Sequence, residues 1–505
     1  MIPTGKLRAQ EQSQPVAVAG MQSTQLPQQA AQSSGKIENG HIVVGTNIHI
    51  SSSRPLWNHY DLGIAVDPYQ PNHMLACSLI VASDKTRPTV GEVAYASSDG
   101  GKSWKASDLG LGHLMSDIGC ALGPGGWAYV LSYIGPNFDD SLAVGPAYTT
   151  LYRSRNSGLS WSAPIHYAGT EDEESMSVDQ SSWAMGTVYM TGYTTGDLDR
   201  STDHGRTVEH LARPKEDGIS VDKPGQNVIL NDGSLAWAFS VTDTMEHRSV
   251  HDPSAGVSTD TNHVGHIMLT KWTPQTGMRG GPATIIGDYV RTSHTMTTLE
   301  EIPWLAADTT TGPFRDHMYA VWTDSREGRV AIRFAYSADK GKTWSQARMI
   351  DEVDSAPGIN PAPDNFNAAV AVNDAGVVAV AWCDRRDNPD NLGYRVRISA
   401  SLDGGKTFLP SVRVSETAND PTREHRIDTY SFPTDPDASG RASLMYWIDR
   451  APIVNADKIQ MATGPDGTFW PAWIDNRTGT SQLWTASVKV TGGPTSETVD
   501  YIELA

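Results

Sequence analysis

The eight residues SSDGGKSW at 97–104 spell the template S-x-D-x-G-x-S/T-W, and the chain returns to it four more times. The returns are SRNSGLSW at 154–161, STDHGRTV at 201–208, SADKGKTW at 337–344 and SLDGGKTF at 401–408. Two of the five match in full; Asn156 replaces the aspartate in one, and Val208 and Phe408 replace the tryptophan in two others. The template predicts a β-hairpin turn. Asp99 or Asp339 accepts bonds from backbone N–H groups within it. Gly101 and Gly341 supply positive φ, and the closing aromatic packs back between sheets.

The template starts, Ser97, Ser154, Ser201, Ser337 and Ser401, are separated by 57, 47, 136 and 64 residues. The long interval is about two units, so one unit between Ser201 and Ser337 has lost its template. NVILNDGSLAWAFSVTD (227–243) and HIMLTKW (266–272) supply its strands, and IQMATGPDGTFWPAWIDNRTGTSQLWTASVKV (459–490) supplies a further unit without one. The count is seven, each about 65 residues, within the range of propeller blades. The expected fold is therefore all-β: a seven-bladed β-propeller over residues 41–505, preceded by a disordered segment at 1–40. Six blades is the alternative, if the first or last segment completes another sheet. HIVVGTNIHI at 41–50 is expected to pair with LWTASVKV at 483–490 and close the ring, leaving no open seam.

Within a unit, a small apolar inner strand (IAVD, WLAAD, AAVAV) is followed by a second strand such as MLACSLIV, MYAVW, VVAVAW or FWPAW. A third strand leads into the template and a short outer strand leaves it. Strand alternation then puts the template turns and the first-to-second turns on one face. The second-to-third loops and the blade-to-blade connections lie on the other.

Composition agrees and excludes other classes. Trp (15) outnumbers Phe (8), and 46 Gly with 30 Pro give a turn-rich chain. The net charge is −19 and no Lys/Arg block occurs, which argues against a nucleic-acid partner. No run of roughly 18 apolar residues is present, so no helical membrane span is expected. Cys77, Cys120 and Cys383 lie in apolar runs and read as buried free thiols rather than a disulfide scaffold. The first forty residues are rich in Gln, Ser and Ala and carry no charged-then-apolar signal pattern.

The repeated template resembles the Asp box of the sialidase-like (BNR repeat) β-propeller superfamily, and the resemblance covers most of the chain from about residue 41. Such boxes occur in sialidases, other glycosidases, polysaccharide lyases and non-enzymatic receptors. The resemblance implies an active site on the face opposite the boxes, and a secreted or periplasmic protein. It does not extend to every sialidase feature. The Arg-Ile-Pro motif is missing, Ser53-Arg54-Pro55 being the nearest stretch, and the Tyr/Glu nucleophile pair has no residue-by-residue counterpart.

That division of faces sorts the candidates. His73, His317 and His204 fall on the template face and read as structural. On the opposite face, Trp322-Thr-Asp324-Ser-Arg326, Trp382-Cys-Asp384-Arg385-Arg386 and Trp473-Ile-Asp475-Asn-Arg477 each end a second strand. Two readings stand: an Asp–Arg pair that shapes the loop, or Arg326, Arg386 and Arg477 clamping a carboxylate, for which the planar guanidinium is suited. The inner-strand mouths add His59, Tyr60, Asp61, Asp117, Glu173, Glu174, Asp222, Lys223, Glu300, Glu301, Trp304, Asn365 and Asn367. Converging carboxylates raise one another's pKa, which is how a general acid is made. Longer connections bring Arg291 and His294, His247 with His251 and His263, and Arg423, His425, Arg426 and Tyr430. His247 and His251 have a metal-like helical spacing, but Pro253 and Gly256 break a helix there, so no metal or cofactor is expected.

Three functions follow. The first is a glycoside hydrolase acting on an acidic saccharide. Its catalytic residues would come from Asp61, Glu174, His294, Glu301 and Tyr430, and its binding residues are Tyr60, Trp304, Arg326, Arg386 and Arg477. The second is a uronate polysaccharide lyase on the same scaffold, with His294 or His59 and Tyr60 or Tyr430 moving protons. The third is a non-catalytic propeller that binds glycans or proteins through its mouth. A monomer is expected.

Overall fold

The computed structural model describes residues 41–492 except 84–87, 112–114, 135–136, 140–141, 145–147, 169–174, 182–183, 193–197, 212–220, 222, 243–262, 274–277, 280, 292–301, 327, 352–362, 389–392 and 420–457. Seven antiparallel sheets form blades that follow one another along the chain, and an eighth, two-stranded sheet pairs Asn137–Asp139 with Leu142–Val144 within the second unit. Blade 1 runs Asn58–Val66, Met74–Ser83, Pro88–Ser97 and Lys105–Leu111, and blade 2 runs Met115–Gly123, Trp127–Ile134, Tyr148–Ser154 and Ile165–Tyr167. Blade 3 comprises Ser175–Val178, Val188–Thr191, Leu198–Ser201 and Glu209–Leu211. Blade 4, the unit without a template, comprises Lys223–Ile229, Leu235–Thr242 and His263–Thr273, with both Met278–Arg279 and Thr284–Arg291 on its outer edge. Blade 5 is Trp304–Ala307, Met318–Asp324, Ala331–Ser337 and Arg348–Met349; blade 6 is Asn365–Val372, Val378–Asp384, Arg395–Ser401 and Val412–Arg413.

Blade 7 joins the two ends of the chain. Gln460–Thr463, Phe469–Asp475 and Gln482–Thr485 are completed by Ile48–His49 from the start of the described chain, in the register Ile48↔Thr485 and His49↔Trp484. His41–Val44 pairs with Val488–Thr491 beside it. The expected closure between 41–50 and 483–490 is therefore formed. Each inner strand packs against the next around the axis, with blade 7 returning to blade 1, so the ring has seven blades and not six.

Strands buried on both faces explain the near-continuous apolar runs. In VAVAWCD (Val378–Asp384) every residue is buried. Val378, Val380 and Trp382 enter the seam with blade 5, while Ala379 and Ala381 enter the seam with blade 7. Each of the seven seams holds its own apolar cluster. Stability is thus spread around the ring rather than gathered in one core.

The five template turns share one hydrogen-bond pattern. Ser97 Oγ donates to Asp99 Oδ1 at 2.8 Å and accepts from Gly101 N at 2.9 Å, while Ser103 N and Oγ donate to the Asp99 carboxylate at 2.9 and 2.6 Å. The same set recurs at Asp203, Asp339 and Asp403, and Asn156 reproduces it with its amide. Positions four and five are both left-handed. Position four accepts Ser157, His204 and Lys340, but position five is always glycine. The reason is packing: a Cβ on Gly158 would sit 2.7 Å from Leu75 Cδ1, and one on Gly405 would sit 2.8 Å from Phe334 Cζ, both in the preceding blade. The turn is the fastener of the seam. The closing aromatics Trp104, Trp161, Trp344 and Phe408 pack into the same seams.

Candidate functional site

The inner strands begin on the face opposite the template turns. Four of them start with a register shift: between Tyr60 and Leu62, Met115 and Ile118, Pro224 and Asn227, and Phe366 and Ala369. A bulge re-aims a side chain that regular pleating would send into a seam. Asp61 (φ 44) and Asn367 (φ 48) sit at two of these bulges in left-handed backbone, which is costly for residues other than glycine. At Asp61 the second strand supports the distortion: Ser78 Oγ lies 2.9 Å from Tyr60 O and 2.8 Å from Asp61 O. Its hydroxyl serves carbonyls that the bulge takes off the ladder.

Asp61 is the centre of a buried ionic cluster. Its Oδ1 accepts from Leu62 N at 2.9 Å, and its Oδ2 accepts from Ile118 N of the neighbouring blade at 2.8 Å. The carboxyl is also hydrogen-bonded to that of Asp117. Lys458, immediately ahead of the inner strand of blade 7, places Nζ 3.5 Å from Asp61 Oδ2 and in direct contact with Asp117 Oδ1. Asp61 and Asp117 are 7% and 8% exposed, so the cluster is nearly withdrawn from water. Burial pushes the Asp61 carboxyl up to about 8, Lys458 holds it down in part, and the Asp117 charge adds to the rise. One proton shared by the two acids, with one ammonium beside them, makes the group neutral overall. That is the charge state such burial favours.

Tyr60, from the same strand, turns its ring into the seam of blades 1 and 2, and its hydroxyl is buried without a hydrogen-bond partner among the described residues. Trp304 opens the inner strand of blade 5, half-buried, and packs against the apolar clusters of both the blade 5–6 and blade 6–7 seams. Lys223, Gln226 and Asn367 are half-buried at the corresponding ends of blades 4 and 6.

The three W-x-D-x-R motifs are superimposable in chemistry. In each, the arginine's backbone N and Nε bond Oδ1 of the aspartate two residues before it, and Nη2 bonds Oδ2 at 2.7, 2.8 and 2.6 Å for Arg326, Arg386 and Arg477. Trp382 and Trp473 Nε1 donate to the same carboxylates at 2.8 Å. Arg326 Nη2 also reaches Asp288 O, while Arg477 lies 4.2 Å over the Trp484 ring and donates to Asn47 Oδ1. The loop-shaping pair is thus present in all three, and Arg326 and Arg477 make further contacts with outer parts of the fold.

Glu174, His294, Glu301 and Tyr430 lie outside the described residues, as do Glu173, Asp222, Glu300 and the histidines at 247 and 251. His59 does not face the mouth. It is fully buried between blades 7 and 1, with Nε2 2.7 Å from the Tyr95 hydroxyl and Nδ1 3.1 Å from Trp57 O, and burial lowers it to about 4. His73, His204 and His317 occupy the template face, where His204 stacks on Trp127 at 4.4 Å and His73 Nδ1 lies 3.1 Å from Ser157 Oγ. Lys458 and Gln226 carry no sequence signal beyond their place at the head of an inner strand. Among the described residues no group of three or more His, Cys, Asp or Glu side chains is arranged to hold a metal.

No protein-family model matches the chain, and no curated protein matches its sequence. Solved structures with a similar course include an α-L-arabinofuranosidase from Fusarium graminearum, 13% identical over 90% of this chain and 98% of that one, with a TM-score of 0.40. An α-L-arabinanase from Penicillium chrysogenum is 12% identical over 88% of this chain and 98% of that one, with a TM-score of 0.41. The NanB sialidase from Streptococcus pneumoniae is 11% identical over 85% of this chain and 68% of that one, with a TM-score of 0.38. The ring itself stands on this chain's own strand pairing.

Proposed function

We propose that the protein is a carbohydrate-active enzyme, a sialidase-like glycoside hydrolase that releases an acidic sugar from a glycan or polysaccharide. The Asp61–Asp117–Lys458 cluster at the mouth of the bulged strands carries this reading. A carboxyl raised to about 8 keeps its proton at neutral pH, which is what donation to a leaving glycosidic oxygen requires. The two aspartates touch, whereas the acid and the nucleophile of a retaining glycosidase stand about 5 Å apart. They therefore act as one proton-holding unit, and the second carboxylate comes from Glu174 or Glu301, with Tyr430 and His294 as further catalytic groups. Trp304, half-buried at the head of its strand, provides ring surface for the sugar, whereas Tyr60, expected beside it, has its ring in the seam of blades 1 and 2. Of the three expected clamps, Arg326 and Arg477 are held by their aspartates and by outer contacts, which leaves Arg386, paired with Asp384, as the guanidinium that holds the sugar's carboxylate.

The test is turnover of a panel of acidic glycans, scored for new reducing ends and for ultraviolet absorbance. Reducing ends without absorbance, reduced about 100-fold or more in Asp61→Asn, support hydrolysis with Asp61 as acid. An absorbance rise marks an unsaturated uronate and converts the reading to a lyase. Neither signal across the panel leaves a binding propeller. For the clamp, Arg386→Ala is expected to weaken substrate binding; unchanged affinity with a lowered melting temperature assigns Arg386 to the loop alone.

A further inference from the structure

The outer strands of blade 6 gather three arginines on one face of the sheet. Cross-strand register puts Asp384 opposite Arg395, Trp382 opposite Arg397, and Arg397 opposite Arg413, so strand alternation sets all three arginines on one face of the sheet. Asp384 is taken by Arg386. Asp387 is shared, 2.8 Å from Arg413 Nη2 and 3.6 Å from Arg395 Nε. Arg397 bonds only the Ser411 hydroxyl and carbonyl, at 3.1 and 2.8 Å, and has no ion pair with a carboxylate among the described residues. Among the described residues these three guanidinium groups thus have one carboxylate paired with them, in a chain whose net charge is −19.

Burial and neighbouring guanidinium charge both hold Arg395 and Arg397 below the usual arginine range. After burial, the largest influence lowering Arg395 is Arg413, and the largest lowering Arg397 is Arg386. Asn365 on the inner strand pairs with Asp384, which pairs with Arg395, and Arg413 on the outer strand pairs with Arg397; Asn365 and Asp384 are buried, so the arginines occupy the outer half of the blade. At the usual strand spacing the inner and outer strands lie about 14 Å apart. The Arg413 side chain, at the outer end, is 49% exposed.

We propose that Arg395, Arg397 and Arg413 form an anion subsite that holds a sulfate or carboxylate group on a polyanionic glycan whose scissile end sits at the axis. Planar guanidinium forks suit both groups, and a bound anion would relieve the repulsion among the arginines. The subsite rests on the reading of the mouth as a glycan site, and it selects long acidic chains over short or neutral ones.

The experiment measures binding of dextran sulfate, polygalacturonate and neutral arabinan to the full chain, at low and high salt, for wild type and Arg397→Gln/Arg413→Gln. The expected result is salt-sensitive binding of one or both polyanions, at least tenfold weaker in the double variant, with arabinan unaffected. Dextran sulfate alone assigns the group to sulfate, and polygalacturonate alone to carboxylate. The Arg397→Lys/Arg413→Lys variant keeps the charge and is expected to recover part of the loss, which guards against a variant that merely misfolds. Equal affinity in wild type and a double variant of unchanged melting temperature overturns the subsite, as does the absence of polyanion binding. Binding lost in the double variant but kept in Asp61→Asn, with no turnover by wild type, retains the subsite and removes the hydrolase reading.

Discussion

The carboxyl groups of Asp61 and Asp117 come from neighbouring inner strands and are hydrogen-bonded to each other, with the Lys458 ammonium reaching both from the last blade. The pair exists because a bulge holds Asp61 in left-handed backbone, turning its side chain out of the regular pleat.

Stability is predicted to depend on pH through this pair. The folded value for Asp61, about 8, lies above the ordinary aspartate value of 3.8. The proton is therefore bound more tightly in the folded protein. Its contribution is complete below about pH 4 and is lost as pH rises towards 8. Between those limits, Asp61→Asn is expected to flatten the fall of melting temperature relative to wild type.

Lys458 lowers the Asp61 carboxyl, so Lys458→Met is predicted to move the alkaline limb of the pH–rate profile to higher pH. Removing one partner of a buried ionic group costs about 3 kcal/mol. Denaturant titration is expected to show that cost near pH 8 and a smaller one near pH 5, where protons replace the ammonium.

Gly158→Ala is predicted to destabilise more than Gly328→Ala. Both glycines are left-handed (φ +87 and +76), but a Cβ at 158 meets Leu75 at 2.7 Å while one at 328 meets nothing within 4 Å. Backbone strain alone costs about 1 kcal/mol, and the packing clash at 158 is expected to add about 1–3 kcal/mol. Equal losses in denaturant titration contradict the seam-fastener account.

Asp339→Asn is expected to be mild at neutral pH, since Asn156 makes the same contacts in its own turn. Bonds from Thr343, Ser337 and Lys342 outweigh partial burial and hold Asp339 down to about 2. Its stabilisation is present above the unfolded value near 4 and is lost as pH falls through 2. The variant is predicted to lack that acid-side component of the melting curve.

The parts of this molecule legible in the sequence are those whose determinants are local. The template turn closes on its own eight residues, so Ser97, Asp99, Gly101 and Trp104 announce it, and its spacing counts the blades. Asp61 and Asp117 were readable as mouth residues from their place at the head of inner strands. Their contact was not, because it depends on a bulge that no residue type specifies. Lys458 was illegible for a different reason: only ring closure brings blade 7 against blade 1. The W-x-D-x-R motifs are legible as repeats that fit a loop-shaping pair or a carboxylate clamp; the Asp–Arg pair is closed in all three, which depends on side-chain geometry that residue spacing does not fix.

The most direct test is a carbon-13 NMR titration of the Asp61 carboxyl, assigned by comparison with Asp61→Asn. A proton retained through neutrality and lost near pH 8 is the predicted result. A carboxyl already ionised at pH 5 contradicts the assignment of Asp61 as the proton-holding acid of the mouth.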